Sequence, residues 1–273
     1  MTITTSKLGA RARTAGLSVV VLFVAALLWE AGARALSSIF VPPLSEVLVH
    51  IGDEWFGGPA YQLFLSDSLI GTVWPSIVRV VPSFVIGALA AVVLGVAIGL
   101  LRPLRDTLYP LIHFLRSIPS AAKVPLFVVL LGIGDAMKMS VIAVAVAFPV
   151  LINTVEGVRS VEPALLDMCK VHRVPARKRV FGIVLPSASP HIFAGLRIGS
   201  AVALIVMIVV EMLAASDGIG YFVLYAQRQF RFLDMWAGLL LLAVFGYLLN
   251  LGLNLLERRV LGWHAKARAG TGH

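Results

Sequence analysis

The residues able to perform catalysis are few in this chain, and the motifs that contain them are incomplete. Gly132-Ile133-Gly134-Asp135 matches the Gly-x-Gly-Asp pattern of intramembrane aspartyl proteases. That chemistry requires a second aspartate close enough to share a proton, and the sequence contains no Tyr-Asp partner. A P-loop is excluded as well, because there is no Gly-Lys dipeptide. The chain is therefore expected not to be an enzyme, and to take its energy from another subunit or from an ion gradient.

Metal and redox sites are also unsupported by the residue spacing. The histidines show neither an i,i+4 pair nor a His-Glu-x-x-His motif, so a helical zinc site is not predicted; they are His50, His113, His172, His191, His264 and His273. The single cysteine, Cys169, excludes an intrachain disulfide and a Cys-x-x-Cys site. We expect Cys169 to be a small buried apolar residue, and we expect no cofactor in this chain.

Three ionisable residues within apolar stretches are candidates for a transport pathway. Arg116 and Lys123 lie seven residues apart, a spacing that places two side chains on one helix face unless Pro119 disturbs it. Arg116 is close enough to the end of its stretch to reach the membrane surface instead. Lys123 lies deeper, where it either contacts an anion or forms an ion pair with a neighbouring helix. Glu211 is expected near the outer end of its span, with Lys123 or Arg228 as its partner.

The composition places these residues in a membrane protein. The chain has 273 residues, of which 59% are hydrophobic and 14% charged, and its mean hydropathy is +0.93. The charged fraction of a soluble domain is typically about a quarter. The net charge of +9 fits basic loops retained in the cytoplasm better than it fits a nucleic-acid partner.

About six membrane spans follow from the apolar runs, together with an amphipathic segment, Pro43 to Phe56, along the membrane surface. The spans are Leu17 to Leu36, Val81 to Leu101, Leu108 to Ile133, Met139 to Val155, Ile192 to Ala215 and Met235 to Leu256. The first is read as a retained span rather than a cleaved signal peptide. The loop from Ser37 to Asp67 lacks lysine and arginine and should face outward, as should Asp217 to Asp234.

These spans define the domain organisation. Residues 1–16 form a cytoplasmic N-terminal segment, 17–257 the transmembrane domain and 258–273 a cytoplasmic tail. Small residues at Gly87, Ala91, Gly95 and Gly99 recur every fourth position, which predicts close contact between two helix backbones, and Gly195 and Gly199 predict the same in the fifth span. The third stretch is broken by Pro110, Pro119 and Pro125, and broken helices at membrane depth usually line a cavity.

A long basic segment, residues 158–190, separates the fourth span from the fifth. It predicts two short helices, the first with Pro163 in its first turn and the second beginning after Pro175 and ending at Pro186 and Pro190. Leu165, Leu166, Met168, Cys169 and Val171 make the first helix partly apolar, while Asp167 and Lys170 add charge. Such a helix pair beside membrane spans is suited to pressing against a soluble partner.

The segment resembles the cytoplasmic loop of permease subunits of bacterial ABC importers. Asp167-Met168-Cys169 stand where that family has an acidic-small-small triplet, and Ile183-Val184-Leu185-Pro186 match its Ile-x-Leu-Pro ending. Arg173 stands where the family has a glycine that permits a tight turn, so the turn here requires another device, for which Pro175 is a candidate. Further stretches are similar to the sulfonate, taurine and nitrate branch: Phe114 to Pro119, Gly132 to Gly134, Ala194 to Arg197, Glu211 to Ala215 and Gly218 to Tyr221.

Six crossings and a basic tail predict that both termini are cytoplasmic, and the resemblance implies an all-α, type I permease in the bacterial cytoplasmic membrane. It implies a second permease copy forming a homodimer, two ATPase subunits that bind ATP and magnesium, and an extracytoplasmic binding protein that delivers a small anionic or zwitterionic solute. The residues expected to couple to the ATPase are Leu166, Asp167, Met168, Cys169, Lys170, Arg173, Ile183, Leu185 and Pro186. The alternative is a secondary carrier with Lys123 and Glu211 as an ion-coupled site; the absence of two related halves in the sequence disfavours it.

Overall fold

A computed structural model of the chain describes residues 4–59 and 64–260, and every regular element within them is helical. The α-helices are α1 Thr4–Leu36, α2 Leu44–Trp55, α3 Asp67–Leu100, α4 Arg102–Ser117, α5 Val124–Leu131, α6 Asp135–Arg159, α7 Pro163–Val171, α8 Ala176–Arg179, α9 Leu185–Ala214, α10 Ile219–Arg228 and α11 Phe232–Val260. A 3-10 turn, Ser120–Lys123, precedes α5, and a π-helical turn, Val180–Val184, joins α8 to α9.

The expected number of spans is confirmed. Five helical stretches of the described chain are long and apolar enough to cross a membrane, and the bent pair formed by Arg102–Ser117 and Ser120–Leu131 makes a sixth. α3 is longer than its predicted span, because Ser68 to Val80 continues the same helix through Pro75 and Pro82. The predicted outer loop after α9 contains the ten-residue helix α10.

The third span is broken as its prolines predicted, and the break decides whether Arg116 and Lys123 can share a helix face. The two halves of the span are inclined by 95° to one another. Pro119 disfavours helical geometry at the preceding residue, and Ile118 is accordingly extended, with φ −74° and ψ 121°. Arg116 lies in the last turn of one helix and Lys123 follows the bend, so the disturbance foreseen at Pro119 occurs and the two side chains do not share a helix face.

The chain divides into two compact units, Met1–Ile70 with Phe222–Leu240, and Gly71–Tyr221 with Leu241–His273. Aromatic contacts hold the first unit together: the Trp29 and Trp236 ring centroids are 4.8 Å apart, and those of Phe40 and Phe232 are 4.9 Å apart. The Trp29 indole donates a hydrogen bond to the Pro42 carbonyl at 3.1 Å. α2 lies where the sequence predicted a surface helix.

The second unit is organised around α6, which packs between α3 and α9. A Cβ placed on Gly87 would lie 2.4 Å from the Ala143 carbonyl oxygen, and one on Gly95 would lie 2.7 Å from Thr154 Cβ. The small-residue stripe therefore does what was predicted, since it lets two helix backbones approach closely. The order of these contacts shows that α3 and α6 run in the same direction.

α9 packs against the other side of α6 in the opposite direction. Gly157 of α6 faces Ala188 and His191 at the start of α9, whereas Gly195 faces Val150 farther back along α6. The predicted close contact at Gly195 is confirmed. α6 and α9 therefore form an antiparallel pair, closed at one end by the segment that contains α7 and α8.

Part of the predicted cytoplasmic tail falls outside the described residues. His264, Lys266, Arg268 and His273 all lie beyond Val260, where the described chain ends. At the other end of the chain, α1 begins at Thr4 and runs through the predicted N-terminal segment into the first span.

Candidate functional site

The segment between α6 and α9 forms the helix pair that the sequence predicted. Pro163 occupies the first turn of α7, where its missing N–H costs nothing because the first amides of a helix have no intrahelical acceptor. Leu166 packs against the cluster of Val158, Val184 and Ala188. The inner face of α7 therefore fastens this helix to the ends of α6 and α9.

The outer face of α7 is apolar and exposed. Leu165 is 39% exposed, Met168 59% and Val171 79%. Asp167 and Lys170 lie on the same surface and form an exposed ion pair at 2.8 Å. Cys169, in contrast, is buried within the chain, as expected for a small apolar residue. Of the triplet residues, Asp167 and Met168 are thus exposed to solvent, whereas Cys169 packs inward.

Arg173 makes the turn after α7 in the left-handed conformation usually taken by glycine. Its φ is +50°. The Val174 amide donates to the Cys169 carbonyl at 2.8 Å and the Arg173 amide donates to the Lys170 carbonyl at 3.0 Å, the hydrogen-bond pattern of a Schellman motif. The expectation that another residue such as Pro175 must make the turn was wrong, because Arg173 itself adopts the left-handed conformation.

The second helix of the segment does not end at Pro186 and Pro190 as predicted. The helical stretch runs without interruption from Ala176 to Ala214. In a regular α-helix the Pro186 ring would clash with the carbonyl four residues earlier, and this carbonyl lies within the π-helical turn Val180–Val184. The wider turn accommodates the proline, so α8 is joined continuously to the span.

Ile183, Leu185 and Pro186 are all half-buried where this continuous helix begins its packing on α6. Leu185 contacts the same cluster as Leu166. Their position agrees with the predicted anchoring of the segment to the fifth span. Of the three basic side chains of α8, Arg177 and Lys178 are exposed and Arg179 is half-buried.

The opposite end of the α6–α9 pair contains a charged network that the sequence did not reveal. Arg79 of α3, only 3% exposed, donates from Nε to Asp135 Oδ1 at 2.8 Å and from Nη1 to Glu211 Oε1 at 3.2 Å. Its Nη2 donates to Asp217 Oδ1 at 2.5 Å. We call this group, with Ser76, the Arg79 network. It joins α3, the start of α6, the end of α9 and the loop that follows α9.

Glu211 is the most deeply buried acid of this network, at 1% exposure. The Ser76 hydroxyl donates to it at 2.8 Å, and the Gly220 amide donates to it at 2.9 Å. Gly218, with φ +99°, lies so close that a Cβ there would be 2.5 Å from the carboxylate. Glu211 therefore pairs with Arg79, and the predicted partners Lys123 and Arg228 were wrong.

Asp135 and Lys138 belong to α6, which begins four residues before the predicted start of the fourth span at Met139. Asp135 begins α6 and accepts from Lys138 Nζ at 3.2 Å as well as from Arg79. Lys138 is buried. A charged residue such as Arg79 inside a membrane-spanning helix is unusual and indicates a specific role. This signal was present in the sequence. It was missed because the predicted span began at Val81, after residues 68–80.

The other two pathway candidates lie apart along the broken third span. Arg116 is exposed in the last turn of α4. Lys123 is half-buried, and its ammonium nitrogen lies 4.5 Å from the centroid of the Phe148 ring of α6. Such a distance allows a cation–π interaction.

Comparison with known proteins identifies the family to which this chain belongs. Residues 83–262 match the family model described as binding-protein-dependent transport system inner membrane component. The chain belongs to this family. It is a permease subunit of an ABC importer, a transporter component and not an enzyme, and the secondary-carrier alternative receives no support.

Individual relatives agree with the assignment. The permease is 30% identical over 258 residues to the taurine transport system permease protein TauC of Escherichia coli, covering 94% of this chain and 92% of the relative. It is 32% identical over 202 residues to the putative aliphatic sulfonates transport permease protein SsuC of Bacillus subtilis, covering 74% and 73%. The bicarbonate transport system permease protein CmpB of Synechococcus elongatus is 33% identical over 198 residues, covering 72% and 71%.

A solved structure confirms the fold. A chain of the MetNI methionine ABC transporter in an inward-facing conformation superimposes with a TM-score of 0.60 at 18% sequence identity. The match covers 72% of this permease and 99% of that chain. The predicted all-helical architecture of an ABC importer permease is therefore correct.

Proposed function

We propose that this permease imports a small anionic or zwitterionic solute, driven by a separate ATPase that docks on the segment from Pro163 to Pro186. The exposed apolar face of α7 carries this proposal. Leu165, Met168 and Val171 are presented to solvent at the end of a tightly packed helix pair, together with the Asp167–Lys170 ion pair. A contiguous exposed apolar surface rimmed by charge is typical of a protein–protein contact.

The α6–α9 pair is the element that passes movement from this surface to the pathway. Gly157 and Gly195 hold the two helices at backbone contact, and Leu166 and Leu185 pack α7 and the start of α9 into one cluster. A displacement of α7 by closure of the ATPase subunits therefore moves α6 and α9 together. Rigid-body motion of this kind exposes a pathway alternately to the two sides.

The Arg79 network keeps the far ends of these helices together during that movement. Arg79 binds acidic groups from α6, from α9 and from the loop after α9. Removing Arg79 would leave the buried Glu211 carboxylate without its cation, which costs about 3–5 kcal/mol. The network therefore makes the ends of α3, α6 and α9 move as a single body.

The solute class is inferred from the relatives. Their names specify taurine, aliphatic sulfonates and bicarbonate, all of which carry a negatively charged oxygen group. We assign the same chemical class to this permease. An extracytoplasmic binding protein delivers the solute, and the ATP and Mg²⁺ are held by the ATPase subunits.

A groove in the first unit is the surface we assign to the binding protein. It has a volume of about 920 Å³ and contains Arg34, Glu46, His50, Arg231 and Asp234 among its lining residues. His50 and Arg231 both contact Asp234, at 2.7 and 2.6 Å. The loop from Ser37 to Asp67 contributes part of this lining and lacks lysine and arginine, which favours an outward position.

The same charge rule favours a cytoplasmic position for α7, α8 and both termini, with the permease acting as a homodimer in the cytoplasmic membrane of a bacterium.

The proposed function is tested by reconstitution. The tagged permease is purified from its native membranes, the co-purifying ATPase is identified, and the complex is placed in liposomes with the binding protein. We expect taurine, ethanesulfonate or bicarbonate to accumulate only when ATP is supplied. Accumulation by the permease alone, without ATP, would overturn the proposal.

A further inference from the structure

Lys123 lies near the middle of the helix against which it packs. Its ammonium group is 4.5 Å from the centroid of the Phe148 ring. At about 1.5 Å per residue, Phe148 is about 20 Å along α6 from Asp135 and about 17 Å from Arg159. A lysine at such depth cannot be explained as a residue at the end of a span, and an ionisable residue there indicates a role in transport.

The acid that could have neutralised Lys123 is already engaged elsewhere. Glu211 accepts hydrogen bonds from Ser76, Arg79 and Gly220. Within the part of the chain that the structure describes, no carboxylate lies within 4.0 Å of the Lys123 ammonium group. Of the two roles left open by the sequence, the ion pair within this chain is therefore eliminated.

The surroundings of Lys123 are suited to a small anion. The residue ends the 3-10 turn Ser120–Lys123, directly after the 95° break in the third span. The following residue, Val124, is buried in the core and fixes the backbone at this point. The Phe148 ring lies against the ammonium group, which forms no ion pair with a carboxylate of the described residues. Non-helical backbone at membrane depth is tolerated where it lines a cavity.

We propose that Lys123, positioned by Phe148 at the break in the third span, binds the anionic oxygen group of the solute as it passes through the permease. The solute class is a small sulfonate or carboxylate, including bicarbonate. This inference rests on the proposed function, because it assigns to one side chain the recognition of the charge that those solutes share. The contact is a charge-assisted hydrogen bond from the ammonium group to an oxygen atom.

The test compares Lys123→Met with Lys123→Arg in the complete reconstituted complex, using radiolabelled taurine, ethanesulfonate and bicarbonate. The measured quantity is the amount of solute imported per ATP hydrolysed, with the loaded binding protein at saturation. We expect Lys123→Met to lower this ratio about tenfold or more, the effect of losing one charge-assisted hydrogen bond. Lys123→Arg retains the charge and should recover most of the ratio.

Arg102→Met is the control, since it removes an exposed cation from the start of α4, at a residue that is not a pathway candidate, and it should leave the ratio unchanged. Wild-type import per ATP by Lys123→Met would overturn the inference while leaving the proposed function intact. An equal loss in Lys123→Met and Lys123→Arg, with failure to assemble with the ATPase, would also overturn it, because a structural role would then be the cause. Failure of the wild-type complex to import any of the solutes with ATP would instead count against the proposed function.

Discussion

The charged side chains at the two ends of the α6–α9 pair differ in burial. At one end, Arg79 and Glu211 are almost fully buried and pair with one another and with further groups. At the other, Asp167 and Lys170 are about two-thirds exposed and form an ion pair with each other, beside apolar side chains that also face solvent. The buried Arg79–Glu211 ion pair stabilises the fold, whereas the exposed Asp167–Lys170 pair and the apolar side chains beside it form the surface that we propose contacts the ATPase. The comparison predicts that mutations at the first end change folding and mutations at the second change transport.

The largest effect on stability is expected for Arg79→Met. The substitution leaves the Glu211 carboxylate buried without its cation, which should lower the free energy of unfolding by about 3–5 kcal/mol. The measurement is the thermal unfolding midpoint of the purified protein in detergent. The double variant Arg79→Met with Glu211→Gln should recover part of the loss, because the unpaired charge is removed as well. A single variant as stable as wild type would show that the network does not stabilise the fold.

A smaller effect is expected for Gly195→Ala in the middle of the pair. The added methyl group would lie 2.8 Å from Asn153 Cβ and 3.1 Å from Val150 Cα, so α6 and α9 must separate slightly, at about 1–3 kcal/mol. Gly182→Ala is the matched control in the same continuous helix, because no atom lies within 4 Å of its added Cβ. Equal unfolding midpoints for the two variants would contradict the close packing on which the mechanical coupling depends.

Arg173→Gly should change stability in the opposite direction. Arginine in the left-handed region costs roughly 1–2 kcal/mol, and glycine avoids this cost, although it loses more backbone entropy on folding. We expect the unfolding free energy to rise by up to about 1 kcal/mol. If the arginine is kept for contact with the ATPase, import should fall although stability improves. A variant that gains stability and imports at the wild-type rate would show that Arg173 has no part in docking.

The smallest effect on stability is expected for Asp167→Lys. Exposed ion pairs contribute about 0–1 kcal/mol, so the unfolding midpoint should scarcely change. Import should nevertheless be lost while ATP hydrolysis continues, because the charge presented to the ATPase is reversed. Uptake and ATP hydrolysis are measured on the same vesicles. Normal coupling between them would remove Asp167 from the docking surface.

The features predicted correctly from the sequence depend on local patterns. The break in the third span follows from Pro119, and the close approach of α3 to α6 follows from glycines spaced every fourth residue. α7 begins with Pro163 as predicted. In each case the signal is a local pattern, a proline or a repeat of small residues on one helix face, so a single sequence contains it, although the identity of α6 as the partner of α3 came from the structure.

The features missed depend on contacts between distant residues or on backbone adjustment. Arg79 and Glu211 are 132 positions apart, and nothing in the sequence distinguishes Arg79 from Lys123 or Arg228 as the partner of Glu211. Pro186 was expected to end a helix, but a π-helical turn accommodates it. Arg173 was expected to avoid the left-handed conformation, yet two backbone hydrogen bonds hold it there. Tertiary packing and backbone hydrogen bonding decide these outcomes.

Thiol cross-linking can show whether the outer face of α7 contacts an ATPase, as we propose. Cys169→Ser first removes the single native thiol. Met168→Cys then places a thiol on the exposed face of α7. In a separate control variant, Ile133→Cys places a thiol before α6, where the native side chain is 78% exposed. A reagent joining the thiol to a nearby lysine is added to the transporting complex. We expect the ATPase to be captured by the thiol at position 168 and not by the thiol at position 133. Continued ATP-driven import with no ATPase captured at position 168 would contradict it.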